Sequence, residues 1–397
     1  METQHIFNVA LVGSGGDGVM ATGTMLLRTA SRMGLWGMMT QSYGPQIRGG
    51  EAAAHVSLSA SPVVSVGHTK DLLVVFRYSD LPRFTAEVSV RPDTVVVHGP
   101  EEDAAPELLQ RVQQNVAVPF AELLAGEGLP EIAKNVLCFG VLLRALGWEL
   151  SHGESCVREL FAKKAPEVTT TNLHALTVGY REGDRLGLKL PHLAPGTGGG
   201  RQVLTGNVAC ARAAISAGCR FYAGYPITPS SEILEEMHRL LPDVGGNCIQ
   251  AEDEIAALGM VLGASFGGTK AMTATSGPGL SLMTEMLGLS SMAEIPVVVV
   301  DCQRAGPSTG MPSRTEQGDL WHALYGGHGD FPRVVLAPTD VADCYRTIFR
   351  AVYLAETYQL PALVLSDAYI AQRAEIMAPI DDSAFPRGTR RIAAPTD

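Results

Sequence analysis

Short runs that are apolar on both faces recur along the chain: Leu72–Phe76, Thr94–Val97, Pro296–Val300 and Ala362–Leu365. A strand with no polar face cannot lie half-exposed on an antiparallel sheet. It belongs in a largely parallel sheet covered by helices on both sides. Between these runs lie segments of helical period, Val19 to Met33, Ala209 to Ala217, Glu252 to Ala264 and Asp340 to Thr357, so the expected class is α/β. The strand–glycine loop–helix order appears on both sides of one break. Gly187 to Gln202 contains Pro191, Pro195 and Gly198-Gly199-Gly200, with no periodicity that a folded element could use. The expected division is therefore an α/β domain over 1–186, a linker over 187–202, an α/β domain over 203–375 and a polar tail over 376–397, the last containing Pro379, Pro386 and Pro395.

Composition narrows the function classes. With 30 Lys and Arg against 41 Asp and Glu, the formal net charge is −11. No basic block exists to displace counterions, so backbone-driven nucleic-acid binding is disfavoured. Seven cysteines without a CxxC pair read as reduced thiols of a cytoplasmic protein and leave no ligand set for a metal or cluster. The first residues carry no positive region and the apolar runs are far shorter than the ~18 residues of a membrane span, so neither export nor a membrane partner is expected.

Several loops could carry chemistry. Gly13-Ser14-Gly15-Gly16-Asp17-Gly18 joins a strand to a helix, either as a phosphate cradle or as a plain tight turn; Asp17 and the lack of a following Lys count against the cradle. Tyr43 to Gly50 places Tyr43, Arg48, Gly49 and Gly50 in a segment without periodicity, either a domain interface or the rim of a site. In Tyr225-Pro226-Ile227-Thr228-Pro229, Pro229 falls where a first helical position would, making Thr228 an N-cap candidate. Glu252-Asp253-Glu254 opens an apolar helix whose buried face would draw on Ile255, Leu258, Met260, Val261 and Leu262. The three acids are either an ordinary acidic first turn or include a carboxylate held dry, with a raised pKa, for proton exchange with a heterocycle nitrogen. Thr275-Ser276-Gly277-Pro278-Gly279 repeats the strand–loop–helix geometry, and Arg304 follows a buried strand, placed to clamp a carboxylate or to form a structural salt bridge. Cys302 reads as core packing, and His322 and His328 lack a further metal ligand.

Tyr225 to Ser231, Gln250 to Ala256, Thr275 to Gly279, and Asp301 to Gly310 with Glu316 to Leu320 together resemble the alpha subunit of the 2-oxoacid:ferredoxin oxidoreductases, particularly the 2-oxoglutarate type. The half before the linker, with Gly13 to Gly18 and Tyr43 to Gly50, resembles their gamma domain, here fused ahead of the alpha part. The resemblance implies a gamma-type α/β domain followed by a pyrimidine-binding thiamine diphosphate domain with a mostly parallel sheet. It implies oxidative decarboxylation of a 2-oxoacid with coenzyme A as co-substrate, electrons leaving to ferredoxin or a similar acceptor. Residue by residue, Glu254 matches the acid that contacts the aminopyrimidine, with Glu252 as runner-up. Thr228 and Arg304 match positions that hold the 2-oxoacid carboxylate. Tyr225, Pro226, Ile227, Ser276, Gly277 and Pro278 match the cofactor edge. The pyrophosphate site with its Mg2+ and an iron–sulfur cluster are implied for a beta subunit, with a further redox subunit as another candidate partner, so activity would need the complex. Alpha chains of the family commonly continue into a further α/β domain, which leaves the coenzyme A contacts of this chain open. Alternatives are a structural or regulatory subunit without chemistry, a thiamine-dependent decarboxylase without electron transfer, and an independent nucleotide-binding module in the first half.

Overall fold

The computed structural model describes residues 6–14, 16–44, 50–100, 107–188, 190–191, 193–196 and 199–390. The chain forms two compact units, 1–203 with 374–379, and 204–373 with 380–397.

In the first unit the strands are β1 (Phe7–Ser14), β2 (Trp36–Tyr43), β3 (Glu51–Ser59), β4 (Leu72–Val75), β5 (Val95–His98) and β6 (Gln114–Ala117). Its helices are α1 (Val19–Arg32), α2 (Phe120–Gly126), α3 (Lys134–Ala145), α4 (Leu150–Leu160) and α5 (Pro166–Leu186). Two strands from further along complete the sheet, β7 (Gln202–Thr205) and β14 (Ala374–Met377), giving the order β6-β5-β4-β1-β3-β2-β14-β7. The strands β1, β4, β5 and β6 pair in parallel, and the two-sided apolarity of β4 and β5 accounts for their place inside the sheet. β1 with β3, β3 with β2, and β2 with β14 are antiparallel, so this sheet is mixed. The antiparallel pairing of β2 with β3 goes beyond what the sequence predicts for Tyr43 to Gly50, a segment without periodicity. Tyr43 ends β2 and Gly50 precedes β3, while Arg48 and Gly49 lie outside the described residues. α3 and α5 pack with backbones nearly touching, since a Cβ on Gly140 would stand 2.8 Å from the Tyr180 amide nitrogen.

The glycine loop after β1 is closed by its own acid. The Ser14 amide donates to Asp17 Oδ2 at 2.8 Å, and Lys134 Nζ donates to Oδ1 at 2.6 Å. Gly18 turns the chain into α1 with φ 77°; Gly15 lies outside the described residues. A phosphate would have to displace a buried carboxylate, which disfavours the cradle reading. Burial raises the Asp17 pKa, but the Lys134 hydrogen bond, the Ser14 amide and the Lys134 and Arg77 charges outweigh it, so the net shift is downward. A depressed folded pKa stabilises the protein above the unfolded value near ~3.9 and loses that contribution as pH falls through the folded value. Asp17→Asn should therefore cost about 1–3 kcal/mol at pH 7 and little at pH 2. Denaturant titrations of both proteins at the two pH values check this, and an equal deficit at both would refute it.

The second unit contains β8 (Phe221–Gly224), β9 (Asn247–Gln250), β10 (Ala271–Thr275), β11 (Val297–Gln303), β12 (Val334–Leu336) and β13 (Pro361–Asp367) in the order β12-β13-β11-β10-β8-β9. Every pairing in it is parallel. Its helices are α6 (Gly206–Ser216), α7 (Ser231–Leu240), α8 (Glu254–Phe266), α9 (Gly277–Met292), α10 (Leu320–Tyr325), α11 (Val341–Tyr358) and α12 (Ala368–Gln372).

Residues expected in a departing tail are instead structured. Ile376 and Met377 are buried in β14, which begins at Ala374, because a short apolar run can form a covered strand even beside polar sequence. Over residues 380–390 the chain is fastened within the second unit. Tyr345 Oη donates to Asp382 at 2.8 Å, Phe385 meets Phe349 edge-on at 5.1 Å, and Arg390 forks onto Glu356. Among the described residues no helix is long and apolar enough to cross a membrane, and all seven cysteines are unpaired.

Candidate functional site

The carboxyl ends of β8, β10 and β11 lie side by side in the parallel sheet, the place where α/β folds gather ligands. Each leads directly into a segment singled out in the sequence.

α8 begins in the acidic cluster, and its three acids have different fates. Asp253 is the N-cap, its carboxylate accepting from the Ala256 amide at 2.7 Å. Glu252 is exposed. Glu254, the first helical residue, is only 5% exposed, and among the described residues no donor reaches its carboxylate. The positive end of the helix favours the anion there. α9 crosses in front of it at Gly279, where an added Cβ would lie 2.6 Å from Glu254 Oε1. Glycine is thus what lets the carboxylate rest against the first turn of α9. Ser276, the N-cap of α9, is fully buried with an unpartnered hydroxyl, and Pro278 sits in the helix's first turn.

The buried face of α8 is drawn from Ala257, Leu258, Val261, Leu262 and Ser265, and not from Ile255 and Met260, which are exposed. Apolar residues surround this helix, so periodicity could not choose its inner side. Phe266 on α8 and Leu282, Leu289 and Met292 on α9 are exposed as well.

Thr228 is not a helix cap. α7 starts at Ser231, and Pro229 lies ahead of it in a loop whose Tyr225, Pro226 and Thr228 are exposed and whose Ile227 is half-buried. The N-cap of α7 is Ser230, so Pro229 does not serve as a first helical residue. Two buried side chains fasten this loop from behind. Asn207 Nδ2 donates to the Pro229 carbonyl at 2.8 Å, and Arg304 Nη1 donates to that of Thr228 at 2.6 Å. Arg304 Nη2 donates to the Thr309 carbonyl at 2.8 Å, while its Nε is buried without a partner. Burial pushes the Arg304 guanidinium down, and the opposing Glu254 charge pulls it back up, which places the two groups within electrostatic reach. The structure therefore brings Glu254, Arg304 and Thr228 into one neighbourhood. It also spends both terminal nitrogens of Arg304 on backbone, so the free fork expected from the sequence is engaged.

Cys302 is fully buried against Asn207 Oδ1 at 3.5 Å, and burial holds its thiol well above the ordinary range, unsuited to nucleophilic attack. His322 pairs with Thr284 Oγ1 at 3.0 Å, and His328 is exposed. The sequence reading passed over Asp301 as a residue of its own. A carboxylate ending an otherwise all-valine buried run was the available signal.

A family model described as pyruvate ferredoxin/flavodoxin oxidoreductase matches residues 8–182. A second, described as pyruvate flavodoxin/ferredoxin oxidoreductase, thiamine diP-bdg, matches residues 212–391. The chain is 34% identical to the 2-oxoglutarate oxidoreductase subunit KorA of Mycobacterium tuberculosis, over 99% of this chain and 66% of that one. It is 55% identical to the 2-oxoglutarate synthase subunit KorA of Methanothermobacter marburgensis, over 43% of this chain and 46% of that one. It thus spans between about half and two thirds of these relatives. A solved 2-oxoglutarate:ferredoxin oxidoreductase from Magnetococcus marinus, with 2-oxoglutarate, coenzyme A and succinyl-CoA bound, superposes with a TM-score of 0.89 at 32% identity, covering 100% of this chain and 69% of that one. Two family models in sequence order, and a likeness that runs from end to end of both units, place this chain in the 2-oxoacid:ferredoxin oxidoreductase family, as a fused gamma-type and alpha-type subunit.

Proposed function

We propose that this chain supplies the pyrimidine side of a thiamine diphosphate site in an enzyme that converts 2-oxoglutarate and coenzyme A to succinyl-CoA and carbon dioxide. Two electrons pass singly to ferredoxin or a related acceptor, with release of one proton. The observation that carries this reading is the buried Glu254 carboxylate, free of protein donors and pressed against Gly279. A heterocycle nitrogen is the partner such a group lacks, and the family model over this unit describes thiamine diphosphate binding.

When bound, thiamine diphosphate supplies the electron sink that makes loss of carbon dioxide from a 2-oxoacid feasible. The chain's own residues bind and orient. Glu254 accepts or returns a proton at the pyrimidine nitrogen, in a site dry enough to strengthen that bond. Tyr225, Pro226 and Ile227, with Ser276, Gly277 and Pro278, form the edge against which the ring lies. Thr228 presents its exposed hydroxyl to the 2-oxoacid carboxylate. Arg304 supports that anion with its charge and with the protons its backbone bonds leave free.

The pyrophosphate with its Mg2+ and the iron–sulfur cluster are assigned to a beta subunit. The exposed apolar sides of α8 and α9 beside the site, with Trp321 and Tyr325 stacked at 5.6 Å and exposed on α10, are surface that such a subunit would cover. Tyr43 and Gly50, with Arg48 and Gly49, are proposed as rim or interface residues of the first unit.

The test is coenzyme A-dependent reduction of an artificial electron acceptor by the natively copurified complex. 2-Oxoglutarate should exceed pyruvate and 2-oxoisovalerate by about 10²-fold or more in kcat/KM. Equal rates with all three would overturn the substrate assignment, and no turnover by an intact, thiamine diphosphate-loaded complex would overturn the reaction.

A further inference from the structure

Behind the site is a second pair of acids with no assigned role. Asp301 stands at the carboxyl end of β11, fully buried, and no donor reaches either oxygen. Asp319 stands at the other end of the segment that leaves β11, just ahead of α10, and its Oδ2 is also buried without a donor. Two carboxylates left bare in the same dry region would repel each other strongly, with nothing to offset the desolvation of either. Among the described residues the remaining surroundings offer no cation. Thr275 on β10 and Leu365 on β13 stand in register with Asp301, α9 approaches with Ser276 and Gly277, and neighbouring Cys302 is neutral. Asp367 at the end of β13 is engaged by Gln317 Nε2 and the Ile370 amide. Among the described residues Asp319 is the charged group that bears on Asp301, and burial together with this neighbouring carboxylate drives the Asp301 carboxyl to hold its proton far above the ordinary range.

The contact also has a built frame. The Asp319 amide donates to Gln303 Oε1 at 3.0 Å, while Gln303 Nε2 is fixed to the Ser366 carbonyl at 3.1 Å. Gly277 admits the Asp319 carboxylate, for an added Cβ there would lie 2.8 Å from Oδ2. At its near end the same segment carries Arg304, which grips Thr228 and Thr309, and turns back through Ala305, whose amide donates to the Arg314 carbonyl at 2.9 Å.

We propose that Asp301 and Asp319 share a single proton, and that this carboxylic acid–carboxylate contact is the clasp that holds the segment from Arg304 to Asp319 against the first turn of α9. Asp301 is thereby a positioning residue for Arg304. Its bearing on catalysis rests on the function proposed above, whereas the clasp itself does not. One proton bridges the two acids, donated by one and accepted by the other, as like-charged carboxylates in close contact require.

The experiment uses the full chain and needs no turnover. Infrared difference spectra of the wild type at pH 7 should contain the carbonyl stretch of a buried protonated carboxylic acid, sensitive to deuterium exchange and absent from Asp301→Asn. Hydrogen exchange of peptides covering 304–319 should be unchanged in Asp301→Asn, whose amide can donate to Asp319 in place of the shared proton. In Asp301→Leu, close in size but unable to donate, the same peptides should open about 10- to 100-fold more often. A wild-type spectrum without that band, or one whose band survives Asp301→Asn, would overturn the shared proton. Equal protection in the Asn and Leu variants would overturn the clasp. Should Asp301→Leu fail to fold, Asp319→Asn takes its place in the spectra: the shared proton predicts that its acid band shifts, and an unmoved band refutes it. Absence of 2-oxoacid turnover alongside the expected spectra would refute the proposed reaction and leave the clasp standing.

Discussion

Glu254→Gln in the natively assembled complex should lower 2-oxoacid-dependent acceptor reduction by about 10²–10⁴-fold, the range a positioned acid or base contributes. The amide keeps the shape of the side chain and its place against Gly279, so assembly and melting temperature should change little. What it removes is the capacity to exchange a proton at that position. Glu252→Gln is the internal control, because Glu252 is exposed and should tolerate the change within about twofold in rate. A Glu254→Gln complex that retains full turnover would show that the buried acid is structural and would move the proton-exchange role elsewhere. The comparison is informative because the two residues are separated by only one position, so any general effect of reduced charge at the start of α8 appears in both.

A second large effect is expected on stability at the back of the same unit. Arg390 donates through Nε and Nη2 to the two oxygens of Glu356, at 2.7 and 2.9 Å, and through Nη2 to Ser265 Oγ at 3.1 Å. Glu356 is 5% exposed on α11, so Arg390→Ala leaves a buried carboxylate without its forked partner. Breaking a buried pair from one side costs about 3–5 kcal/mol. Arg390→Lys should fall between, since a point charge cannot reproduce the fork. In Glu356→Leu/Arg390→Leu most of the loss should return, because no orphaned charge remains. Equilibrium denaturation of the four proteins measures this. A deficit below about 1 kcal/mol in Arg390→Ala would mean that the strap of residues 380–390 is held by its aromatic and backbone contacts alone.

The parallel core of both sheets was legible in the sequence because it follows from a local property. A run such as Val297–Val300, apolar on both faces, has no solvated side and must be covered on both. The glycine loops were legible for a similar reason, since positive φ and close approach are requirements of single residues. Glu254, Arg304 and Thr228 were visible as residue types in order along the chain, and the family resemblance supplied their proposed roles.

Other features depend on partners far away in the chain. α8 is apolar all round, and only its packing against α9 and β8 decides that Leu258 and Val261 face inward while Ile255 and Met260 do not. Asp17 looked like an obstacle in a phosphate loop until Lys134 supplied the reason for its burial. The segment from residue 376 onward reads as a polar tail because composition averages over neighbours, whereas β14 is held by its register with Met38 and Met39 and the strap by single contacts to α11. Arg304 and the acids at 254, 301 and 319 are the sharpest case. Their residue types are written in the sequence, but whether each side chain is dry, paired or free depends on distances across the fold, and burial and pairing are what convert a carboxylate from a solvated surface charge into a group that can hold or pass a proton.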